Sequence, residues 1–368
     1  MKKMDKIRGS LIGGAIGDAL GYQIEFNTGI KDKQVTKYQN NYGIISDDTQ
    51  MTLFTANALL SCVTRGASKG ISASPIIYIY NSYLDWLQTQ TSKENINKVC
   101  WIRDIPELNE KRAPGNTCIS ALLSGKKGTL NEPINDSKGC GTIMRVAPIG
   151  LYIGGAEEAG MLAAEASALT HGHPLAIIPS YVCAVLINIL VKTNKTIKEA
   201  LDEAMNIYRE KFNIYNEETN KYFIALVNKA IELSKKNITD IEAIEKLGGG
   251  WVAEEAFAIA IYSCLKYENS FKDAIICAVN HDGDSDSTGA IAGNIMGAYC
   301  GYSNIPKYYK NNLELKDIIL ELADDLAMEV PVDEYKKNND KYWISKYSNC
   351  NRDGKKKSFW RNLWKTTK

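Results

Sequence analysis

The stretch HDGDSDSTG, residues 281–289, and its shorter counterpart SDDTQ, residues 46–50, are the parts of the sequence around which the chain is organised. Each gathers carboxylates and hydroxyl groups, and each runs directly into an apolar segment with helical spacing. Neighbouring carboxylates repel one another, and burying them is costly unless a cation or hydrogen-bond donors balance the charge. Mg²⁺, Mn²⁺ or Ca²⁺ with oxygen ligands is the simplest balancing agent. A cation site therefore requires the two stretches to converge in the fold.

Each stretch has a simpler interpretation when it is taken alone. An acidic pair such as Asp47-Asp48 at a helix start commonly serves as an N-terminal cap, aided by the helix dipole. The spacing of Asp284 and Asp286 also occurs in calcium-binding EF-hand loops, but here the closing acidic residue is missing and Gly283 comes before the first aspartate. A calcium-stabilised helical protein without enzymatic activity is therefore one alternative.

Glycines recur at short intervals in two segments that are predicted to be helical. In residues 5–22 they accompany a broad apolar face, and after the second acidic stretch they come every four residues. A glycine inside a helix costs about 1 kcal/mol relative to alanine, which indicates that these glycines serve packing. We therefore predict close helix contacts at both sets of positions. They are Gly9, Gly13, Gly14, Gly17 and Gly21 in the first segment, and Gly289, Gly293, Gly297 and Gly301 in the second.

Most of the remaining chain alternates apolar helical faces with glycine, proline and polar breaks. We find no run of alternating strands, no repeat of roughly 20–50 residues and no nucleotide-binding strand–helix–strand unit, so the predicted class is all-α. Nothing resembling a linker divides the 368 residues, which predicts one compact multi-helix domain over 1–345 and a C-terminal tail over 346–368. Further helices are predicted over residues 51–60, 75–89, 118–123, 157–169, 175–192, 196–212, 219–235, 239–247, 254–265, 271–280 and 290–299.

Charge and cysteine content exclude several classes of protein. The formal net charge is +1, so the chain as a whole has no general bias towards polyanions. Nine cysteines are scattered without a Cys-x-x-Cys pair, which indicates reduced core thiols in a cytoplasmic protein rather than a disulfide framework or a zinc site. The N-terminus is a weak match to a signal peptide because Asp18 interrupts its apolar run, and we expect no stretch long and apolar enough to span a membrane.

The C-terminal tail differs in composition from the rest of the chain. From Lys355 to Lys368 it carries six basic residues and no acidic ones, interleaved with four large apolar residues. In a helix the apolar residues fall on one face, which would suit a membrane surface or an anionic partner. The alternative is a frayed end that packs a few aromatic side chains onto the domain.

A glycine-rich loop at residues 139–144 precedes an apolar segment. Its glycines, Gly139 and Gly141, can leave backbone N–H groups free to bind an anion, although the loop is neither a Walker A sequence nor a dinucleotide fingerprint. Asp18 and Glu25 also allow two interpretations. Either they belong to a polar helix face and a turn, or they make a third acidic contribution to the central site.

Five motifs together resemble those of the ADP-ribosylglycohydrolase family, which includes the dinitrogenase reductase activating glycohydrolase and the ADP-ribosylarginine hydrolases. The motifs arrive in the family's order and cover roughly residues 7–301. Any one of them is weak evidence, but the ordered set is specific. The matching stretches are GDALGYQIE at 17–25, SDDTQM at 46–51, GCGTIMR at 139–145, THGHP at 170–174 and GDSDSTG at 283–289.

The resemblance implies a single all-α domain with a binuclear metal cleft, holding two divalent ions that are Mg²⁺ first and Mn²⁺ as the alternative. Glu25 would supply a mobile carboxylate near the ions, and Glu25, Asp48 and Asp284 would be the catalytic carboxylates. The glycine-rich loop would hold a diphosphate, His171 would lie near the ribose, and Trp251 would form a wall for the adenine or ribose. The implied metal ligands are Ser46, Asp47, Asp48, Asp284, Asp286 and Ser287. The implied diphosphate-binding residues are Gly139, Cys140, Gly141, Thr142, Ile143 and Met144.

The activity that the resemblance implies is hydrolysis of the bond between ADP-ribose and arginine side chains of modified proteins, since the motifs look closer to the arginine-specific branch. Such bonds break through an oxocarbenium-like transition state, which metal-oriented water and a carboxylate base would assist. The partners would be an ADP-ribosylated protein and the ADP-ribose product, and immunity to an ADP-ribosylating toxin is compatible with this activity. The alternatives are hydrolysis of another ADP-ribose linkage (on serine, on O-acetyl-ADP-ribose or on a nucleic-acid base) and an inactive ADP-ribose-binding protein.

Overall fold

Helices make up the regular structure of the computed structural model, which describes residues 2–26, 34–71, 73–91, 98–212, 214–335 and 337–351. Within these ranges the only β-type pairings are isolated bridges, such as Gly139 with Val252, so the predicted all-α class is confirmed. The helices are α1 Lys3–Tyr22, α2 Asp47–Lys69, α3 Pro75–Gln90, α4 Asn116–Leu123, α5 Ala147–Tyr152, α6 Ala156–Ala168, α7 Pro174–Lys192, α8 Ile197–Lys211, α9 Glu217–Leu233, α10 Asp240–Leu247, α11 Ala253–Lys266, α12 Phe271–Val279, α13 Ser285–Cys300, α14 Lys307–Asn311, α15 Lys316–Ala327 and α16 Lys341–Tyr347.

Local capping chemistry sets several of these helix boundaries. Helix α8 begins with a capping box in which Thr196 and Glu199 satisfy each other's backbone N–H groups, and Thr239 and Glu242 do the same at the start of α10. Both helices lie where the apolar periodicity predicts them. Short-range signals of this kind therefore place the helices in sequence before any tertiary contact is considered.

Helix α7 is the central apolar helix of the core. Its residues from Leu175 to Val191 are buried by the surrounding helices. By length and composition this helix could cross a membrane, so the expectation that no stretch is long and apolar enough was wrong on that count. The structure buries 94% of its apolar window inside the protein, as in the core helix of a globular domain.

Helices α1 and α13 pack along their lengths with almost no side chains between their backbones. A methyl group added at Gly17 would overlap the carbonyl oxygen of Gly289, and one at Gly293 would overlap the carbonyl oxygen of Gly13. The predicted close contacts are thus confirmed, and the two glycine sets contact each other. Because α13 begins at Ser285, inside the second acidic stretch, this contact brings α1 against that stretch.

The C-terminal helices α14, α15 and α16 were not predicted from the sequence. Helix α16 is anchored by Trp343, whose indole N–H donates to the Thr64 hydroxyl at 2.7 Å, and by the buried Lys346, which pairs with Asp325 of α15. Residues 346 and 347 therefore pack with the domain in this structure. The basic part of the predicted tail, from residue 352 onward, lies outside the described residues.

Candidate active site

The close packing of α1 on α13 places the end of one helix against the start of the other. A methyl group added at Gly21 would overlap the backbone of Ser285 and Asp286, so the second acidic stretch lies directly beside the end of α1. Glu25 follows this end by three residues, and it reaches the carboxylates of α13. Atoms of Glu25, Asp284 and Asp286 that could bind a metal ion all lie within 4.8 Å of one another.

The first acidic stretch forms the N-terminus of α2, and Asp18 fixes its position. The Asp18 carboxylate accepts hydrogen bonds from the backbone N–H groups of Ser46 at 3.0 Å and Thr49 at 3.1 Å. Asp18 is completely buried and bonded to donors, so it orients the site rather than serving as a third acidic group within it. The Ser46 hydroxyl caps α2 by accepting from the N–H of Asp48 at 3.3 Å.

The two side chains that follow Ser46 face the second acidic stretch. The Asp47 carboxylate accepts a hydrogen bond from the N–H of Gly115 at 3.2 Å. The Oδ2 atom of Asp48 and the Oε2 atom of Glu25 are buried without a hydrogen-bond partner in the described part of the chain. Buried carboxylate oxygens are rarely left in this state, and a cation is the simplest group that would satisfy them.

Burial among like charges raises the pKa of each carboxylate in this group. Burial, followed by repulsion from Asp286, raises the pKa of Glu25 to about 9. Burial raises the pKa of Asp284 to about 6, and burial together with Asp286 raises the pKa of Asp48 well above its ordinary value. The group cannot ionise fully without positive charge beside it, which is the electrostatic setting of a divalent cation site.

The acidic stretches converge at one side of an open cleft of about 640 Å³. The expectation that they meet in the fold is therefore confirmed, although the sequence places them more than two hundred residues apart. Within the described ranges the side chains and backbone that line the cleft are those of Glu25, Phe26, Asp47, Asp48, Lys111, Ala113, Pro114, Gly115, Asn116, Thr117, Cys118, Gly139, Cys140, Gly141, Met144, His171, Trp251, Asp284, Asp286 and Ser287. Ser46 is not among them, since it is fully buried at the start of α2.

The segment from Lys111 to Cys118 forms a wall of the cleft that the sequence did not predict as part of a site. Arg112 anchors it through a bidentate ion pair with Glu314, at 2.5 and 2.9 Å. The available signal was the Ala-Pro-Gly turn at 113–115, which carries the chain into α4. Its partner, Glu314, is distant in sequence, so no local pattern links this turn to the acidic stretches.

The glycine-rich loop lines the cleft beside the second acidic stretch, but not in the way its sequence suggests. The N–H of Gly139 donates to the Ser137 hydroxyl at 3.4 Å, and the N–H of Cys140 donates to the Trp251 carbonyl at 3.3 Å. The expectation that the glycines leave N–H groups free to bind an anion was therefore wrong for Gly139, and the N–H of Cys140 is also occupied. Thr142 and Ile143 are buried behind the cleft, and the Thr142 hydroxyl donates to the Ala176 carbonyl at 3.0 Å.

Trp251 stands at the rim of the cleft, with 47% of its surface exposed. The three glycines before it make a tight approach to the second acidic stretch, since the N–H of Asp284 donates to the Gly249 carbonyl at 2.9 Å. A half-exposed indole at the rim can contact a ligand with its flat apolar face. Trp251 thus lines the cleft, and its role as a wall for the adenine or ribose stays a prediction.

His171 lies beside Gly139 and Gly141, with its Nε2 edge toward the cleft. Its Nδ1 atom is 2.8 Å from the Thr170 hydroxyl, and that hydroxyl accepts a hydrogen bond from Arg145 at 2.7 Å. Burial, followed by repulsion from Arg145, lowers the pKa of His171 to about 3, so the imidazole is neutral at physiological pH. The Thr170 proton has the Nδ1 atom as its best acceptor, because the nearby Cys118 sulfur accepts only weakly.

We expect His171 to carry its proton on Nε2 and to present that N–H to the cleft as an uncharged donor. Nitrogen-15 NMR of protein labelled at histidine should show, from roughly pH 5 to pH 8, a neutral ring with unprotonated Nδ1 whose signal belongs to His171. The chain has three histidines, so His171→Gln identifies the signal. In Thr170→Val the fixed tautomer should be lost, and in Thr170→Ser it should return. A signal showing protonated Nδ1 in the unmodified protein would contradict the assignment.

Comparison with known proteins gives a consistent result. The sequence model of the ADP-ribosylglycohydrolase family matches residues 1–335. An uncharacterised protein of Archaeoglobus fulgidus is 29% identical over 88% of this chain and 96% of its own length. ADP-ribosylarginine hydrolase Tri1 of Serratia proteamaculans is 25% identical, over 91% of this chain and 82% of its own length. ADP-ribosyl-[dinitrogen reductase] glycohydrolase of Rhodospirillum rubrum is 25% identical, over 85% of this chain and 91% of its own length. Among solved structures, an ADP-ribosylglycohydrolase-related protein complex matches with a TM-score of 0.61 and 23% identity, over 89% of this chain and 98% of that one, which supports the fold.

Proposed function

Because the chain belongs to the ADP-ribosylglycohydrolase family, we propose that it hydrolyses the glycosidic bond between ADP-ribose and arginine side chains of modified proteins. The observation that carries the proposal is the convergence of Glu25, Asp284 and Asp286 with the start of α2 in one open cleft. The choice of arginine is supported by relatives named for that activity at 25% and 26% identity, which cover most of this chain.

The proposal includes two divalent cations, with Mg²⁺ as the first choice and Mn²⁺ as the alternative. The residues fit such ions. Asp48 and Glu25 each have a carboxylate oxygen without a partner, and the pKa of Asp284 is raised, so a nearby positive charge would stabilise all three carboxylates. Bound cations would supply Lewis acidity, which polarises substrate oxygens and lowers the pKa of water. The residues that would hold them are Asp47, Asp48, Asp284, Asp286 and Ser287, which line the cleft, together with Ser46, whose hydroxyl caps α2 next to Asp47.

The other residues of the cleft have separate proposed roles in proton transfer and substrate binding. Glu25 is the least enclosed of the converging carboxylates, so it is the best placed to take a proton from water or pass one to the leaving group. Gly141 and Met144 line the cleft where the diphosphate would lie, and His171 would donate a hydrogen bond to a ligand oxygen. Trp251 would cover the adenine or ribose.

Turnover on a panel of linkages is the test of this proposal. ADP-ribosylated arginine should be hydrolysed in the presence of Mg²⁺, and a chelator should reduce the rate by about 10³-fold or more, since the cations contribute several kcal/mol to the transition state. Restoring excess Mg²⁺ should restore the rate. The matched substrates are ADP-ribosylserine, O-acetyl-ADP-ribose and an ADP-ribosylated nucleic-acid base.

The panel also separates the alternatives. If the protein hydrolyses another member of the panel and not ADP-ribosylated arginine, it is a glycohydrolase with a different linkage specificity. Tight ADP-ribose binding without turnover of any member, at saturating Mg²⁺ and Mn²⁺, would identify an inactive binding protein. Stabilisation by Ca²⁺ without hydrolysis would favour a structural cation site.

A further inference from the structure

One donor in the cleft differs in kind from the carboxylates and hydroxyls around it. The thiol of Cys140 donates a hydrogen bond to the Oδ2 atom of Asp284, at 2.6 Å between sulfur and oxygen. The backbone of Cys140 is held in place, because its N–H donates to the Trp251 carbonyl at 3.3 Å. The thiol is therefore fixed beside the acidic group and lines the cleft.

The surroundings of this thiol point to a cation. Ser287 and Asp48 line the same part of the cleft as the sulfur of Cys140. Asp48 is only 3% exposed, and its Oδ2 atom has no partner in the described part of the chain. Cys140 and Asp284 thus place a sulfur and a carboxylate in direct contact, in the cleft that Asp48 also lines.

We propose that Cys140 makes this cleft a binding site for thiophilic divalent cations, such as Zn²⁺ and Cd²⁺, which displace Mg²⁺. Mg²⁺ binds oxygen ligands almost exclusively, whereas Zn²⁺ and Cd²⁺ gain strongly from a sulfur ligand. On binding, the thiol releases its proton to solvent and the sulfur bonds to the cation, so no oxidant or reductant is needed. Thiophilic cations then inhibit hydrolysis, and this last statement alone rests on the proposed function.

Direct binding of Cd²⁺ to the full, metal-free chain tests the site without any assay of activity. Coordination of Cd²⁺ by a thiolate gives an ultraviolet charge-transfer band that oxygen ligands do not give. The unmodified protein should show this band, and Mg²⁺ should compete with it only at far higher concentration. Cys140→Ser, which keeps the shape of the side chain and supplies oxygen, should lose the band and bind Cd²⁺ at least about tenfold more weakly.

Two other cysteines provide matched controls. Cys118 lines the same cleft, but its sulfur faces the Gly141 carbonyl at 3.8 Å. Cys300 is partly exposed at the end of α13. Cys118→Ser and Cys300→Ser should both keep the band. A band that survives in Cys140→Ser, or that disappears in either control instead, would overturn the proposal. If Cys140→Ser does not fold, Cys140→Ala serves for the same measurement.

Inhibition is measured separately. The Zn²⁺ concentration that halves hydrolysis at fixed Mg²⁺ should rise about tenfold in Cys140→Ser, with each variant compared with its own uninhibited rate. Loss of the Cd²⁺ band in Cys140→Ser together with unchanged Zn²⁺ inhibition would keep the binding site but overturn its inhibitory role. A protein that shows the Cd²⁺ band but hydrolyses no member of the linkage panel would contradict the proposed function and leave the cation site standing.

Discussion

Asp286→Asn should lower hydrolysis by about 10³-fold or more at saturating Mg²⁺ and leave the helical fold in place. The side chain of Asp286 is 3% exposed and lies with Glu25 and Asp284 in the acidic group. The amide keeps the size of the side chain and the acceptor for the Ser287 N–H, which donates at 2.9 Å, but it removes the charge that holds a cation. Losing about 4 kcal/mol of transition-state stabilisation corresponds to a thousandfold loss of rate.

The same substitution should make the metal-free protein more stable, because it removes one of several like charges that are buried together. Kinetics, calorimetric titration with Mg²⁺ and urea unfolding together check the prediction. Asp284→Ala and Asp286→Ala should also fold and lose activity. Asp282→Asn is the matched control, since Asp282 belongs to the same turn but is exposed, and it should retain activity. Full activity of Asp286→Asn at saturating Mg²⁺ would contradict the assignment of Asp286 as a metal ligand.

Gly17→Ala should cost about 3 kcal/mol or more of the free energy of unfolding, although alanine is the better helix former. The added methyl group would overlap the carbonyl oxygen of Gly289 in α13, and a backbone atom cannot rotate away as a side chain can. Relief requires α1 and α13 to move apart along a contact that they share over several turns. The free-energy cost of this overpacking exceeds the gain of about 1 kcal/mol that alanine brings in helix propensity.

Urea unfolding followed by circular dichroism measures the effect. The control is Gly154→Ala, because a methyl group at Gly154 would meet nothing within 4 Å, and the change should lie within about 0.5 kcal/mol of zero. Gly17→Ala should also weaken Mg²⁺ binding, since Gly17 is next to Asp18, which orients the start of α2. Equal stability of the two alanine variants would show that the helices adjust without cost.

The sequence was sufficient for the class of the fold and for most helices. Local periodicity and caps decide those features, as at Thr196 and Thr239. The pairing of α1 with α13 was not predicted, although both glycine sets were recognised, because spacing shows that a helix needs a close neighbour and not which one. The family resemblance, rather than any local pattern, linked the motifs into a single site.

Details of the site depended on contacts between residues that are distant in sequence. Asp18 was open to two interpretations, and only its hydrogen bonds to Ser46 and Thr49 show that it orients α2. The N–H groups of Gly139 and Cys140 looked free because their acceptors, Ser137 and the Trp251 carbonyl, could not be identified from the loop itself. A backbone donor is satisfied by whichever acceptor the fold brings near, and that depends on tertiary structure.

The pairing of the first helix with the thirteenth has a consequence for how the protein is made. During translation, α1 leaves the ribosome while its partner, Ser285–Cys300, is still unsynthesised. At ordinary elongation rates this interval is on the order of tens of seconds, during which the apolar surface of α1 has no native partner. The acidic group of the cleft can therefore assemble only after both α2 and α13 have emerged.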